Sequence, residues 1–177
     1  MANNFVCSPR GQQLAQPKTR QFKLGIEDMH ATPNVFILAA DHFDEAAVVV
    51  CLSELRGQGL TAVLVSATPG LLSGKRGIIL RPDLSLAQIN EFTVKEGQMV
   101  LIAGGAESAA AILTDPRAHH LLQQVLVAKG YIAVMRDTCH YVEGLGLEQL
   151  RDRNRLLRQG GEETAVFTRR LIMRIST

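Results

Sequence analysis

Several absences narrow the class of this protein before any motif is considered. The 177-residue sequence has no tryptophan, few aromatic residues and three cysteines, Cys7, Cys51 and Cys139. Three cysteines cannot pair evenly, and their spacing is not that of a metal site, so we expect a reducing, cytoplasmic setting and no metal. No apolar run approaches the roughly 20 residues of a membrane span, and no secretory apolar segment follows Met1. The net charge of +2 does not by itself indicate nucleic acid or an anionic membrane.

What is present indicates one globular domain behind an N-terminal segment of different composition. Hydrophobic residues make up 46% of the chain and charged residues 20%, which is a globular balance. Residues 1–33 are rich in Gln, Asn, Lys and Arg, contain Pro9, Pro17 and Pro33, and lack a sustained apolar period. We therefore expect residues 1–33 to form an N-terminal arm, flexible or docked on a partner, and residues 34–177 to form a single domain.

Four short apolar runs predict the strands of a parallel sheet. Each is apolar on both faces, as in strands that helices cover on both sides, and they lie at residues 35–40, 61–66, 99–103 and 131–135. Segments of helical length lie between or beside them, at residues 44–58, 106–113 and 116–129. The last of these follows Asp115, a plausible N-cap, with Pro116 at the first helical position. This alternation predicts an α/β fold, a flavodoxin-like parallel sheet with helices on both faces in a three-layer sandwich.

Two regions break this alternation. After the second apolar run, a turn at residues 73–75 and a short strand at 77–80 predict a small β excursion on the edge of the sheet. Toward the C-terminus, leucines recur among charges at residues 147–159, which predicts an amphipathic surface helix. Residues 165–175 are predicted to form a terminal strand or a pair of strands. The C-terminal part of the domain is expected to be shortened.

The order of four local motifs resembles the ThiJ/PfpI superfamily. The motifs are ILAADHFDEAAV at residues 37–48, LRPDLSL at 80–86, LIAGG at 101–105 and KGYIAVM at 129–135. The resemblance covers roughly residues 34–147. It implies the class I glutamine amidotransferase-like fold, which that superfamily shares with the Parkinsonism-associated deglycase and the PfpI-type proteases. It also implies homo-oligomerisation, which is common among its members.

The same resemblance shows where this sequence departs from the family's enzymes. Those enzymes carry a cysteine directly after the strand that here ends at Met135, and the aligned residue is Arg136. Arginine stays protonated and cannot act as a nucleophile. The family's glutamate in the first helix falls on Ala47. The alternative alignment, with Cys139 at the sharp turn, would place the polar residues 136–138 in a buried strand, which is costly unless they are paired.

Ligand-binding residues are expected at the carboxyl edge of the sheet. The resemblance implies that backbone amides of two retained glycines face the site, while Arg136 beside a helix start could hold a small anion. His42 follows the first strand at the same edge. The predicted ligand-binding residues are Gly104, Gly105, His42, Arg136 and Asp137. The other interpretation of Arg136 is an internal ion pair with Asp44, Glu45 or Asp137.

We therefore expect a non-catalytic domain that acts by binding, as an assembly subunit or a small-anion sensor, without a cofactor. The alternative is an enzyme of the same superfamily, a cysteine-dependent hydrolase or deglycase, or else a redox stress sensor. Cys139 would carry either function, with His140, Asp44 and Glu45 as candidate partners. Cys139 and His140 make a poor dyad, because neighbouring helical residues point about 100° apart.

The C-terminal arginines come with no nucleic-acid-binding motif, so we expect a second copy of the chain or another protein as partner, and no nucleic acid.

Overall fold

The computed structural model describes residues 32–89, 93–143 and 153–176. The expected N-terminal arm therefore lies almost entirely outside the described residues. So does the first half of the helix predicted at residues 147–159. None of the helices in the described ranges is both long and apolar enough to cross a membrane.

The described part of the chain contains eight strands and six helices. The strands are β1 (Val35–Ala39), β2 (Ala62–Ser66), β3 (Leu72–Ser73), β4 (Ile79–Leu80), β5 (Leu84–Ser85), β6 (Met99–Ile102), β7 (Tyr131–Val134) and β8 (Leu156–Arg158). The helices are α1 (Glu45–Gly57), α2 (Leu86–Ile89), α3 (Ala106–Leu113), α4 (Pro116–Val127), α5 (Cys139–Glu143) and α6 (Thr164–Ile175). Short 3-10 turns at Arg136–Thr138 and Arg153–Arg155 follow β7 and precede β8.

Six of the strands form one parallel sheet in the order β5-β2-β1-β6-β7-β8. The central strand β1 pairs Phe36 with Val63 on one side and with Val100 on the other. Every residue of β1, β2 and β6 is buried. Helices α1 and α6 pack against each other and cover one face of the sheet, while α3 and α4 pack against each other and contact β1, β6 and β7. Because helices cover it in this way, the sheet is apolar on both faces. The predicted α/β, flavodoxin-like fold is confirmed, with the four apolar runs as β1, β2, β6 and β7.

The predicted helix starts are also present. Asp44 caps α1 by accepting a hydrogen bond of 2.9 Å from the Ala47 N–H. Asp115 caps α4 in the same way, and Pro116 occupies the first turn. Such caps satisfy amide groups that have no partner within the helix, so they fix where each helix begins.

The excursion after β2 differs from the prediction. β3 and β4 form a separate antiparallel hairpin, in which Leu72 pairs with Leu80 and Ser73 with Ile79. The edge of the main sheet is instead β5, which pairs in parallel with β2. The hairpin folds back over the first turn of α1, where the Ser73 carbonyl oxygen accepts from the His42 N–H and the Lys75 N–H donates to the Phe43 carbonyl oxygen.

Both C-terminal predictions were wrong within the described residues. The second half of the predicted helix is a 3-10 turn followed by β8, because Leu157 is buried beside β7 and the backbone completes the sheet there. Residues 165–175 belong to helix α6 rather than to a strand. Phe167, Thr168 and Leu171 are buried at helical spacing against α1, and this one-sided packing overrides the β preference of the segment.

Candidate functional site

A cavity of about 280 Å³ opens at the carboxyl edge of the parallel sheet. The first turn of α1 and the turns after β6 and β7 supply most of its wall, and the chain around β8 and α6 closes it. The lining residues are Asp44, Ala47, Gly104, Met135, Arg136, Asp137, Gln159 and Thr164. The crevice beyond the carboxyl ends of the strands is where ligands bind in open α/β sheets.

Arg136 lines this cavity, two residues after β7 ends at Val134. Met135 is still extended, with φ −70° and ψ 152°, and Arg136 then begins the 3-10 turn. The Arg136 N–H donates to Gln159 Oε1 at 3.2 Å, and its Nη2 donates to the Glu162 carbonyl oxygen at 2.9 Å. The guanidinium is therefore bonded to a neutral acceptor of the segment between β8 and α6.

The predicted ion pair of Arg136 with a nearby acid does not form. Asp44, Glu45 and Asp137 all lie in the described ranges, and none of them is within ion-pair distance of the Arg136 guanidinium. Asp44 is engaged as the cap of α1 instead, and Asp137 turns toward the opposite wall.

Asp137 bonds to the turn after β6. Its Oδ2 accepts a hydrogen bond of 2.7 Å from the Gly105 N–H, and the same oxygen lies 3.8 Å from Lys75 Nζ. Lys75 comes from the β3–β4 turn, so three separate elements meet at this carboxylate. The Gly105 amide, one of the predicted pair, thus already has a carboxylate as its acceptor.

Glu45 lies near the cavity but not on its wall. Its side chain is buried against the β3–β4 turn and accepts from the Arg76 N–H, and a Cβ on Gly74 would lie 2.4 Å from it. Burial alone would raise the pKa of the Glu45 carboxyl, but the backbone N–H groups of Arg76, Glu45 itself and Ile78 together hold that pKa below its usual range. The carboxylate is therefore charged and anchors the hairpin.

Cys139 lies one turn beyond Arg136, at the start of α5. Its backbone is ordinary helix, with φ −56° and ψ −41°. Its Sγ donates to the Met135 carbonyl oxygen at 3.4 Å, and the His140 ring packs on Tyr141 with centroids 4.0 Å apart. Residues 136–138, which the alternative alignment needs in a strand, form the 3-10 turn instead. The second thiol in the described residues, Cys51, is buried against Thr168, and burial raises its pKa to about 11.

His42 lies at the rim and is not among the residues that line the cavity. Its backbone is left-handed, with φ 62°, and its Nε2 is 3.9 Å from Glu107 Oε2 in an exposed pair. The His42 carbonyl oxygen lies so close to Gly105 that a Cβ there would be 2.6 Å away. With φ 109°, Gly105 also has a backbone that favours glycine. The role of His42 in the fold is thus to bring its backbone close to the Gly105 turn.

Sequence reasoning missed three residues of this region, Lys75, Gln159 and Thr164. Lys75 lies in a predicted turn with no motif around it, and Gln159 is the last residue of the helix predicted at residues 147–159. Gln159 would have been found if β8 had been recognised, since it directly follows the carboxyl end of that parallel strand. Across the described ranges, no three His, Cys, Asp or Glu side chains gather into a group that could hold a metal ion.

Comparisons with known proteins agree on the fold. The family model described as "DJ-1/PfpI family" matches residues 33–140. Drosophila melanogaster DJ-1beta superposes with a TM-score of 0.68 at 15% identity, covering 82% of this chain and 95% of that one. Oxidized Toxoplasma gondii DJ-1 superposes with a TM-score of 0.67 at 16% identity, covering 82% of this chain and 95% of that one. A DJ-1 superfamily protein of Salmonella typhimurium superposes with a TM-score of 0.62 at 15% identity, covering 82% of this chain and 89% of that one. A search of the curated proteins found no match.

Proposed function

This chain belongs to the DJ-1/PfpI family, and on that premise we propose that it is a non-catalytic member that binds a small anion in the cavity beside Arg136. The observation that carries the proposal is the position of Arg136, which directly follows Met135 at the end of β7 and lines the cavity. By the motif resemblance, the family's enzymes have their nucleophilic cysteine at this position. A guanidinium stays protonated and cannot attack a substrate.

The charge at Arg136 supports an anionic ligand. Its guanidinium donates to the carbonyl oxygen of Glu162, which is a neutral acceptor, and no carboxylate in the described ranges lies within ion-pair distance of it. The group has five N–H donors, so one bond to a carbonyl leaves others for a ligand. A planar fork of this kind matches carboxylate and phosphate oxygens. Thr164, the first residue of α6, lines the same wall, where helix amides add a favourable potential for an anion.

Binding of small anions to Arg136→Met tests the proposal. We expect sodium acetate or phosphate, titrated at constant ionic strength, to bind the wild-type protein and not the variant, because the variant keeps the side chain's length and loses its charge. Arg169→Met is the matched control, since Arg169 pairs with Glu54 on the exposed surface of α6 and α1. Equal binding by wild type and Arg136→Met would contradict the proposal.

Thiol reactivity separates this proposal from a cysteine-dependent hydrolase or a redox sensor. We expect Cys139, in a protein with Cys7 and Cys51 replaced by Ala, to react slowly with an alkylating reagent at pH 6. An activated cysteine would react rapidly there, because its pKa would lie well below the ordinary value of about 8.5. Rapid reaction that is lost in Cys139→Ser would overturn the non-catalytic assignment and justify substrate screening.

We also propose that the protein works as a homo-oligomer in the cytoplasm. Members of this family often form oligomers. The β3–β4 hairpin exposes three large apolar side chains, with Leu71 65% exposed, Ile79 62% and Ile78 48%. Grouped exposed apolar side chains of this size are typical of contact surfaces. Light scattering should give a molar mass that is a multiple of 19.3 kDa. A monomer at micromolar concentration would contradict this proposal and leave the anion site untouched.

A further inference from the structure

The cavity contains a carboxylate of its own. Asp137 lines the cavity, and its Oδ2 receives the Gly105 N–H at 2.7 Å and faces Lys75 Nζ at 3.8 Å. One backbone amide and one cation, Lys75, therefore contact this internal anion, and Arg136 lines the same cavity. The Asp137 side chain is 44% exposed, so it is not enclosed by the protein that holds it.

The backbone around this carboxylate is fixed by bonds that do not involve it. The Gly105 turn is held where Gly104 accepts from the Asp44 N–H at 2.8 Å and where the His42 backbone packs against it. The main chain of Lys75 is held by its N–H bond of 3.1 Å to the Phe43 carbonyl oxygen. The Gly105 N–H and the main chain that carries the Lys75 side chain therefore keep their places if the carboxylate leaves.

The Asp137 carboxylate is the adjustable partner in this arrangement. It sits on a side chain with two rotatable bonds, in a three-residue 3-10 turn that opens to solvent. Rotation about those bonds would move the carboxylate away without moving the backbone of Arg136 or Gly105.

We propose that Asp137 is an internal competitor that occupies the carboxylate position of a binding site for small free carboxylates. When a ligand carboxylate binds, Asp137 rotates toward solvent, and the Gly105 N–H and Lys75 transfer to the ligand. This inference deepens the function proposed above and rests on it for the part that Arg136 plays. The ligand class follows from the group that the site already holds, a carboxylate on a short aliphatic stem.

The strength of this competition sets the size of the expected effect. The apparent affinity for the ligand equals the affinity of the open site multiplied by the fraction of molecules in which the site is open. If Asp137 occupies the site in nine molecules of ten or more, its removal strengthens binding by about tenfold or more. The competition thus predicts a gain of binding upon deleting a side chain, which a purely structural role for Asp137 does not.

The experiment compares acetate and propionate binding by wild type and Asp137→Ala at pH 7.5 and constant ionic strength, using calorimetry. We expect Asp137→Ala to bind at least about tenfold more tightly. The control for the loss of one negative charge is Glu96→Ala, because Glu96 is an exposed surface carboxylate that pairs with Lys129. It should bind as wild type does. Adding Lys75→Met to Asp137→Ala should cancel most of the gain.

Two outcomes would overturn the inference. One is a folded Asp137→Ala that binds acetate no more tightly than wild type, and the other is a gain that survives Lys75→Met. If Asp137→Ala does not fold by circular dichroism, Asp137→Asn takes its place under the same criteria. The proposed function fails separately, when Arg136→Met binds anions as wild type does, so the two failures are distinguishable.

Discussion

Two carboxylates near the cavity, Glu45 and Asp137, are treated by the fold in opposite ways. Glu45 is buried under the β3–β4 turn, accepts backbone N–H groups and stands against Gly74 with no space to move. Asp137 is nearly half exposed, with one amide and one distant ammonium as partners. The enclosed carboxylate, Glu45, therefore holds the β3–β4 turn in place. The exposed one can exchange its partners, and this makes it the candidate for a role in binding.

The largest expected effect is on the enclosed side of the comparison, at Gly74. In Gly74→Ala the new Cβ would lie 2.4 Å from the Glu45 side chain, which cannot swing aside without losing its backbone bonds. We expect a loss of about 1–3 kcal/mol in the free energy of unfolding, as in overpacked interiors, measured by urea denaturation. Gly57→Ala is the matched control, because nothing lies within 4 Å of a Cβ there. Equal stabilities of the two variants would mean that Glu45 is not confined.

The second effect concerns the charge of Glu45 and depends on pH. Because the folded protein holds the pKa of Glu45 below its usual value, the ionised carboxylate stabilises the fold above the unfolded value of about 4.3. That contribution is lost as the pH falls through the lower, folded pKa. We expect Glu45→Gln to be less stable than wild type at pH 7, and the difference to shrink toward pH 3.

Denaturation curves at several pH values measure this difference in the free energy of unfolding. Glu107→Gln provides the control for removing one negative charge, since Glu107 is an exposed residue at the rim. A difference between wild type and Glu45→Gln that stays constant from pH 7 to pH 3 would show that the charge of Glu45 does not stabilise the fold.

The smallest expected effect is on the exposed side. The Lys75–Asp137 pair is partly solvated on both partners, and such pairs contribute about 0–1 kcal/mol. A double-mutant cycle of Lys75→Met and Asp137→Ala should therefore give a coupling free energy below about 1 kcal/mol in urea denaturation. A coupling several times larger would place Asp137 with Glu45 as a structural anchor, and the contrast between the two carboxylates would disappear.

The sequence was a good guide wherever the signal is local. Residues 35–39 are apolar on both faces, which is typical of a strand that helices cover on both sides. Asp115 and Pro116 predict the start of α4, because an aspartate caps a helix and a proline fits its first position. The motif order placed Arg136 after β7, where it is found. The strand predicted at residues 165–175 is wrong, since the segment is part of helix α6. Its helical face is defined only by contact with α1.

Local sequence signals are enough to predict the four central strands, the starts of α1 and α4 and the position of Arg136 after β7, because each of these depends on neighbours within a few residues. Tertiary packing is what brings Asp137 to the Gly105 N–H, 32 residues away, and what lets the hairpin carry Lys75 to Asp137 and Arg76 to Glu45. These contacts join turns whose directions are set by packing, and no local pattern specifies which of several acids will meet which donor.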